Sequence, residues 1–292
     1  MPLVNMKPLL RHAMNNGYAV AAFNLVDYNS TKAMVKAAEA LDAPVICQTS
    51  SKTIDYYSHE EIVSWVRTVA ADSPVPVVLH LDHCKNIEMI EKCAASGWTS
   101  LMIDASEFPF EENLKMSKRV REIAEKYNVG MEAELGQIMG VEDDMVVDEA
   151  DSVLTDPEDA KIFCDALDLS AFACAVGTAH GFYKGEPVVD FDRIAAINAA
   201  TNTPMALHGG TGLSDETFAK AIARGSAKVN ISTNLKHVFI ESFEEYRRAN
   251  PDDYEPLRVI DAQYKACLNL FSGFIEKFGG KGHGSAFLAS QK

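Results

Sequence analysis

No C-x-x-C pair occurs in the chain, and none of its six cysteines stands near histidine at zinc-finger spacing. Cys47, Cys84, Cys93, Cys164, Cys174 and Cys267 sit in apolar runs, which predicts buried free thiols of a reducing cytosol rather than a disulfide framework. Positive charge is scarce as well. The 27 Lys and Arg stand against 42 Asp and Glu, for a net charge of −15. That balance argues against nucleic acid or an anionic membrane as a partner, while small anions remain compatible with a locally positive site. No apolar run is long enough to span a bilayer. Low-complexity blocks and short repeats are missing too. The first residues, Met1 to Lys7, lack the charged and then apolar pattern of a signal peptide.

What the chain does have is alternation. Its 292 residues, 47% hydrophobic, suffice for one large core. Short β-rich runs end at polar residues and are followed by amphipathic segments with apolar spacing of three and four. The runs end at Asn24, Thr49-Ser50, Asp82-His83, Asp104, Glu134, His180, His208 and Asn230. Helices are expected over 30–41 with Ser30 as N-cap, up to a Gly97 stop, and over 113–127, 157–166, 191–200 and 214–223. About eight strand–helix units predict a closed (β/α)8 TIM barrel with a C-terminal helical extension, residues 1–292 forming one domain. A doubly wound open sheet is the alternative, but a barrel gathers those polar strand ends at one mouth. Two segments break the alternation. Residues 136–156 are too long for an ordinary connection and read as a lid or functional loop. The glycine-rich tail after Phe278 reads as loose.

Three groups of residues carry chemistry. His83, His180 and His208 follow three different strands, and three neutral imidazoles with an open position make a catalytic zinc arrangement. His12, His59, His237 and His283 fall in helical or loop positions and are expected in solvent. His80 should share the strand face of Asp82. Next come two turns suited to phosphate: Gly209-Gly210-Thr211-Gly212 after His208, and Asn230-Ile231-Ser232-Thr233, where Thr233 is a candidate helix cap. They match the usual phosphate site of the barrel, after its last two strands. Gly181 and Lys184 are placed to complete it. Finally, Asp82, Asp104, Glu132, Glu134 and Glu142 are candidate carboxylates. Glu134 is favoured over Glu132 for the mouth, Asp104 reads equally as a turn residue, and Glu142 as an exposed loop charge.

At Leu79-His80-Leu81-Asp82-His83, Glu132-Ala133-Glu134-Leu135-Gly136, residues Gly177 to Gly185, Leu207 to Gly212 and Lys228 to Thr233, the sequence resembles the class II, zinc-dependent fructose- and tagatose-bisphosphate aldolases. Length and motif spacing resemble the tagatose-bisphosphate branch most. The resemblance implies one catalytic zinc held by His83, His180 and His208. Asp104 and Glu134 would be alternative or second-site ligands, and a second metal or a monovalent cation is compatible with the family. It implies that Gly181, Lys184, Gly209, Gly210, Thr211, Asn230, Ser232 and Thr233 hold dihydroxyacetone phosphate, with Asn24 and Ser50 assisting. Asp82 would protonate the aldehyde-derived oxygen, and Glu142 would move the carbon-bound proton. A sugar phosphate substrate, a place in glycolytic carbohydrate metabolism, a cytoplasmic location and a homodimer or homotetramer are implied as well. The chain also departs from the family. Many members have Asp where Ser232 stands, and an arginine for the distal phosphate where Leu257 stands, with Arg258 one residue late. Met139 replaces a usual glycine.

Overall fold

The computed structural model describes residues 3–142, 145–147, 154–181, 183, 185 and 187–291. Its strands in chain order are β1 (Val20–Asn24), β2 (Val45–Thr49), β3 (Val77–Cys84), β4 (Ser100–Ile103), β5 (Gly130–Leu135), β6 (Met139–Glu142), β7 (Met145–Val147), β8 (Ala171–Cys174), β9 (Ala179–His180), β10 (Met205–Leu207) and β11 (Ser226–Ile231). Eight of them close a parallel barrel in the order β1-β11-β10-β8-β5-β4-β3-β2. The closure decides against an open sheet. Most strand ends fall where the polar residues of the sequence lie, but His180 stands beyond the end of β8, on β9 of a separate three-stranded sheet β7-β6-β9.

Strand alternation sets the barrel interior, because successive side chains point to opposite faces. On β1, Ala21 and Phe23 pack outward into the main core under the helices, while Val20 and Ala22 face a second, smaller core inside the barrel. Ile46 and Val78 point into that inner core as well. Two residues further along each of these strands the inward series turns polar, at Asn24, Gln48 and His80. The bottom of the barrel is therefore apolar and its upper half is lined with hydrogen-bonding groups.

The apolar end is plugged by two short helices. Met6–Asn15 buries Met6, Leu9, Leu10 and Ala13, the spacing of one helical face. The second, Gly284–Ser290, lies in the tail expected to be loose, and it corrects that expectation. Its Phe287 is buried in the inner core. Asp42 holds the start of this helix by accepting from the Ser285 amide at 2.8 Å and the Ser285 hydroxyl at 2.6 Å. His283 stacks on Tyr18 with ring centroids 4.1 Å apart. His12 accepts or donates at 3.0 Å to the Tyr18 hydroxyl. His12, His59 and His283 are thus half-buried rather than solvated, whereas His237 is exposed.

Two further details differ from the sequence reading. The helix Tyr28–Ala40 starts earlier than expected, with Asp27 as its cap and Ser30 as the third helical residue. The Ser30 amide donates to the Asp27 carboxylate at 2.7 Å and the Asp27 amide donates to the Ser30 hydroxyl at 3.0 Å, a capping box. Residues 136–156, read as a loop, contain the hairpin strands β6 and β7. Gly97, as expected, closes the helix Ile87–Ser96 with φ 100°. All six cysteines are buried and free. None of the described helices is long and apolar enough to cross a membrane.

Candidate active site

Asp82 and His83 are neighbours in β3, and a regular strand would send them to opposite faces. A bulge removes the conflict. The β3–β4 register shifts between Leu81 and Cys84, and His83 takes φ 43°, a left-handed backbone that costs a non-glycine residue energy. Both side chains then join the same hydrogen-bonded system inside the barrel. Asp82 Oδ2 accepts from Gln48 Nε2 at 2.9 Å and Oδ1 from Asn230 Nδ2 at 3.2 Å. Gln48 Nε2 also donates to Asn24 Oδ1 at 2.8 Å, so three strands hold one carboxylate.

His83 faces two ways. Its Nδ1 lies 2.9 Å from Asp104 Oδ2 and 3.9 Å from Glu134 Oε2, and its Nε2 lies 2.8 Å from His208 Nδ1. His180 completes the group: its ring centroid is 5.0 Å from that of His83 and 5.9 Å from that of His208. One ligand atom from each of His83, His180 and His208 falls within 4.8 Å of the others. The same holds for His83, Asp104 and Glu134. Burial opposes charge on every imidazole here. It drives His180 and His208 well below the ordinary value, helped by positive charge on His83. For His83 burial is outweighed by Asp82, Asp104 and Glu134, which raise it to about 10. Glu134 is pushed up to about 8 by burial and by the neighbouring Asp104. Asp104 is held well down against its burial by His83 and Ser106.

That chemistry suits a divalent ion. Two imidazole nitrogens face each other at hydrogen-bond distance, the Glu134 Oε2 atom is buried without a hydrogen bond, and the donor set is nitrogen-rich. Asp104 fills the turn role expected of it and also supports His83. It accepts from the Ser106 amide at 3.1 Å as a turn residue, and it faces His83 Nδ1, which leaves Nε2 for an ion.

Around this centre lie the turns expected to hold phosphate. Gly209 has φ 69°, and a Cβ there would meet the Ala179 oxygen at 2.5 Å, so only glycine permits the approach of the two loops. The Tyr183 hydroxyl fastens them together, accepting from the Ala179 amide at 3.0 Å and donating to the Gly209 oxygen at 2.8 Å. Gly181 follows His180 with φ 83°. Gly210 packs so tightly that a Cβ would meet the Asn230 oxygen at 2.9 Å, and Thr211 beside it is buried. Among the described residues, the buried oxygens Thr178 Oγ1, Asn230 Oδ1 and Ser232 Oγ have no hydrogen-bond partner. Ser232, rather than Thr233, occupies the cap position of the helix Thr233–Ala249, and its side chain makes no capping bond. Ser50 stands likewise at the start of the helix Ser51–Tyr57 without a capping bond.

Lys184 lies outside the described residues. So do the side chains of Glu142 and Met139, although their backbone is strand β6. That strand runs beside the metal candidate: Gly140 pairs with His180, and a Cβ on Gly140 would strike the His180 carbonyl. Leu257 is 69% exposed, and Arg258 is engaged with Asp253 at 3.0 Å.

Two inward residues were not singled out from the sequence, Gln48 and Lys228, while His80 and Glu132 were named but not assigned to the site. Each of the four lies two positions before a residue that was assigned, namely Ser50, Asp82, Glu134 and Asn230, so strand parity carried through every strand would have found Gln48 and Lys228 as well.

The profile of fructose-bisphosphate aldolase class-II matches residues 4–283. The chain belongs to the class II fructose-bisphosphate aldolase family. It is therefore a lyase of the aldolase type. A protein named sulfofructosephosphate aldolase from Alkalicoccus urumqiensis is 35% identical over 279 residues, covering 96% of this chain and 97% of that one. The YdjI aldolase of Escherichia coli K12 superposes with a TM-score of 0.86 at 30% identity, covering 97% of this chain and 99% of that chain. The fructose-bisphosphate aldolase of Campylobacter jejuni shares the fold, with a TM-score of 0.82 at 21% identity and 96% of both chains covered.

Proposed function

We propose that this class II aldolase is zinc-dependent and reversibly cleaves a ketose phosphate to dihydroxyacetone phosphate and an aldehyde. The default substrate is fructose or tagatose 1,6-bisphosphate, which gives glyceraldehyde 3-phosphate. The observation that carries this is the meeting of His83, His180 and His208 within 4.8 Å beside the amide-held carboxylate of Asp82. Those three histidines would hold the ion, with Asp104 and Glu134 in reach as alternatives. When bound, the ion supplies Lewis-acid polarisation of the substrate ketone.

The protein groups do the rest. Breaking the bond between the third and fourth carbons requires a base for the fourth-carbon hydroxyl and an acid that returns a proton to the third carbon. Asp82 takes the hydroxyl proton in cleavage and returns it to the aldehyde oxygen in condensation. Gln48 and Asn230 fix its direction. Glu142, on the strand beside His180, serves the carbon. The phosphate binds where Gly181, Gly209, Gly210, Thr211, Asn230, Ser232 and Thr233 converge, with Lys184, Asn24 and Ser50 assisting; the unpartnered Thr178, Asn230 and Ser232 oxygens suit such a polar ligand.

A second reading concerns the aldehyde end. Ser232 removes a carboxylate, Leu257 is exposed and Arg258 is already paired. One relative bears a sulfofructosephosphate name. These favour an acceptor whose far end is not a phosphate, including a sulfonate. Condensation of dihydroxyacetone phosphate with matched phosphorylated, sulfonated and neutral aldehydes decides it. A strong preference for glyceraldehyde 3-phosphate supports the bisphosphate and sinks the alternative. We also propose a homodimer or homotetramer of single-domain chains, which sedimentation velocity would reveal.

A further inference from the structure

Lys228 and Glu132 lie at the centre of the barrel, and both are completely buried. The ammonium stands 2.9 Å from Glu132 Oε2 and 3.1 Å from Oε1, reaching from β11 across to β5. Burying two charges carries a desolvation cost for each, and well-packed apolar residues often replace such pairs without loss. Packing alone therefore gives this pair no reason to exist.

Among its further partners, Asp82 at 3.8 Å from Lys228 and His80 and His208 beside Glu132, the nearest is a metal candidate. Glu132 Oε1 lies 2.8 Å from His208 Nε2. An ionised carboxylate only accepts, so His208 Nε2 must carry the proton, and His208 Nδ1 then presents its lone pair. That Nδ1 is the atom turned to His83 Nε2 at 2.8 Å. The Asn230 amide also approaches His208 Nε2, at 3.4 Å, but it donates to Asp82 at 3.2 Å, so the shorter carboxylate contact decides the tautomer. His80 is 3.5 Å from Glu132 Oε2 and is anchored on its other nitrogen by Ser100 at 2.8 Å.

We propose that the Lys228–Glu132 pair is a positioning device for His208: it fixes the Nε2–H tautomer and the ring direction, so that Nδ1 is the ligand atom. The inference rests on the reading of His208 as a metal ligand. Lys228 and Glu132 stand behind the His83, His180 and His208 group, and Glu132 reaches it through His208. Lys228 holds the Glu132 carboxylate in place where both are completely buried, and Glu132 passes that orientation to the imidazole. Outer partners of this kind typically change metal affinity tenfold to a hundredfold.

Two measurements test it. Long-range nitrogen–proton NMR of the metal-free enzyme, with His208 assigned from a His208→Gln sample, reads the tautomer directly. The Nε2–H form is expected, and the Nδ1–H form overturns the proposal. Zinc affinity, from competition with a chromophoric chelator, is compared between wild type and the charge-free pair Glu132→Gln/Lys228→Met. A loss of about tenfold to a hundredfold is expected, and unchanged affinity overturns the proposal. Should the double variant not fold, the wild-type tautomer still decides. Should the wild type take up no zinc, the metal reading fails, and the tautomer is read in the metal-free protein regardless.

Discussion

Replacing Asp82 by Asn tests the division of labour between the two ends of the substrate. The side chain keeps its shape and loses its ability to move a proton. Both oxygens of Asp82 accept from amides, Gln48 Nε2 at 2.9 Å and Asn230 Nδ2 at 3.2 Å, so the new NH2 must confront one of them. Turning Gln48 would sacrifice its 2.8 Å bond to Asn24. Turning Asn230 is cheap, because its Oδ1 has no hydrogen-bond partner to lose and would accept from the new NH2. The stability cost should thus fall near the low end of the ~1–3 kcal/mol range for a mismatched buried polar group. General acid–base groups contribute roughly 10²- to 10⁴-fold, or about 3–5 kcal/mol of activation free energy. Cleavage by Asp82→Asn should drop by that factor. Zinc content, and exchange of the carbon-bound proton of dihydroxyacetone phosphate, should persist, because neither uses the aldehyde side. Stopped-flow cleavage, metal analysis and proton exchange by NMR are the assays. Exchange lost in step with cleavage, or zinc lost with the carboxylate, would refute this assignment.

Glu142→Gln should give the opposite pattern, slowing exchange more than it weakens zinc binding, which the same NMR assay reads. In the metal-free protein, burial opposes protonation of His83, but Asp82, Asp104 and Glu134 raise it to about 10 from its ordinary 6.5. The folded state therefore holds an extra proton between those values. Its contribution to stability is complete below about 6.5 and is lost as the pH rises to about 10. Zinc must displace that proton, so the melting-temperature increment on adding zinc should grow from pH 6.5 to pH 9. Scanning calorimetry checks it, and an increment that shrinks over that range contradicts it. Phe287→Ala empties a buried position of the inner core and should cost about 3–5 kcal/mol, seen as a lower denaturant midpoint with active-site kinetics intact. Gly209→Ala forces a Cβ against the Ala179 backbone at φ 69° and should raise KM for dihydroxyacetone phosphate, which initial-rate condensation kinetics would show.

The barrel was legible because burial and alternation are local: Val20 to Phe23 or Val77 to Leu81 announce buried strands, and the polar residue closing each run marks the mouth. The candidate histidines His83, His180 and His208, which meet in the structure, followed from the same pattern. The β3 bulge was not legible. Nothing in Leu81-Asp82-His83-Cys84 says that His83 will adopt positive φ, since the register of β4 decides it. The Lys228–Glu132 pair escaped because its members are 96 residues apart and meet only once the sheet closes. The tail misled for a simpler reason. Its glycines suggested freedom, but Gly279 and Gly282 use positive φ to turn the chain beneath the barrel, where Asp42 and Tyr18 hold it.

If His83, His180 and His208 hold one ion that activates dihydroxyacetone phosphate, exchange of the carbon-bound proton depends on that ion. Enzyme stripped by a chelator is titrated with zinc while exchange of the carbon-bound proton of dihydroxyacetone phosphate with D2O is followed by NMR. No exchange is expected in stripped enzyme, and a rise to a plateau at one zinc per chain. Exchange that ignores the chelator, or fails in zinc-replete enzyme, would overturn the assignment of the three histidines.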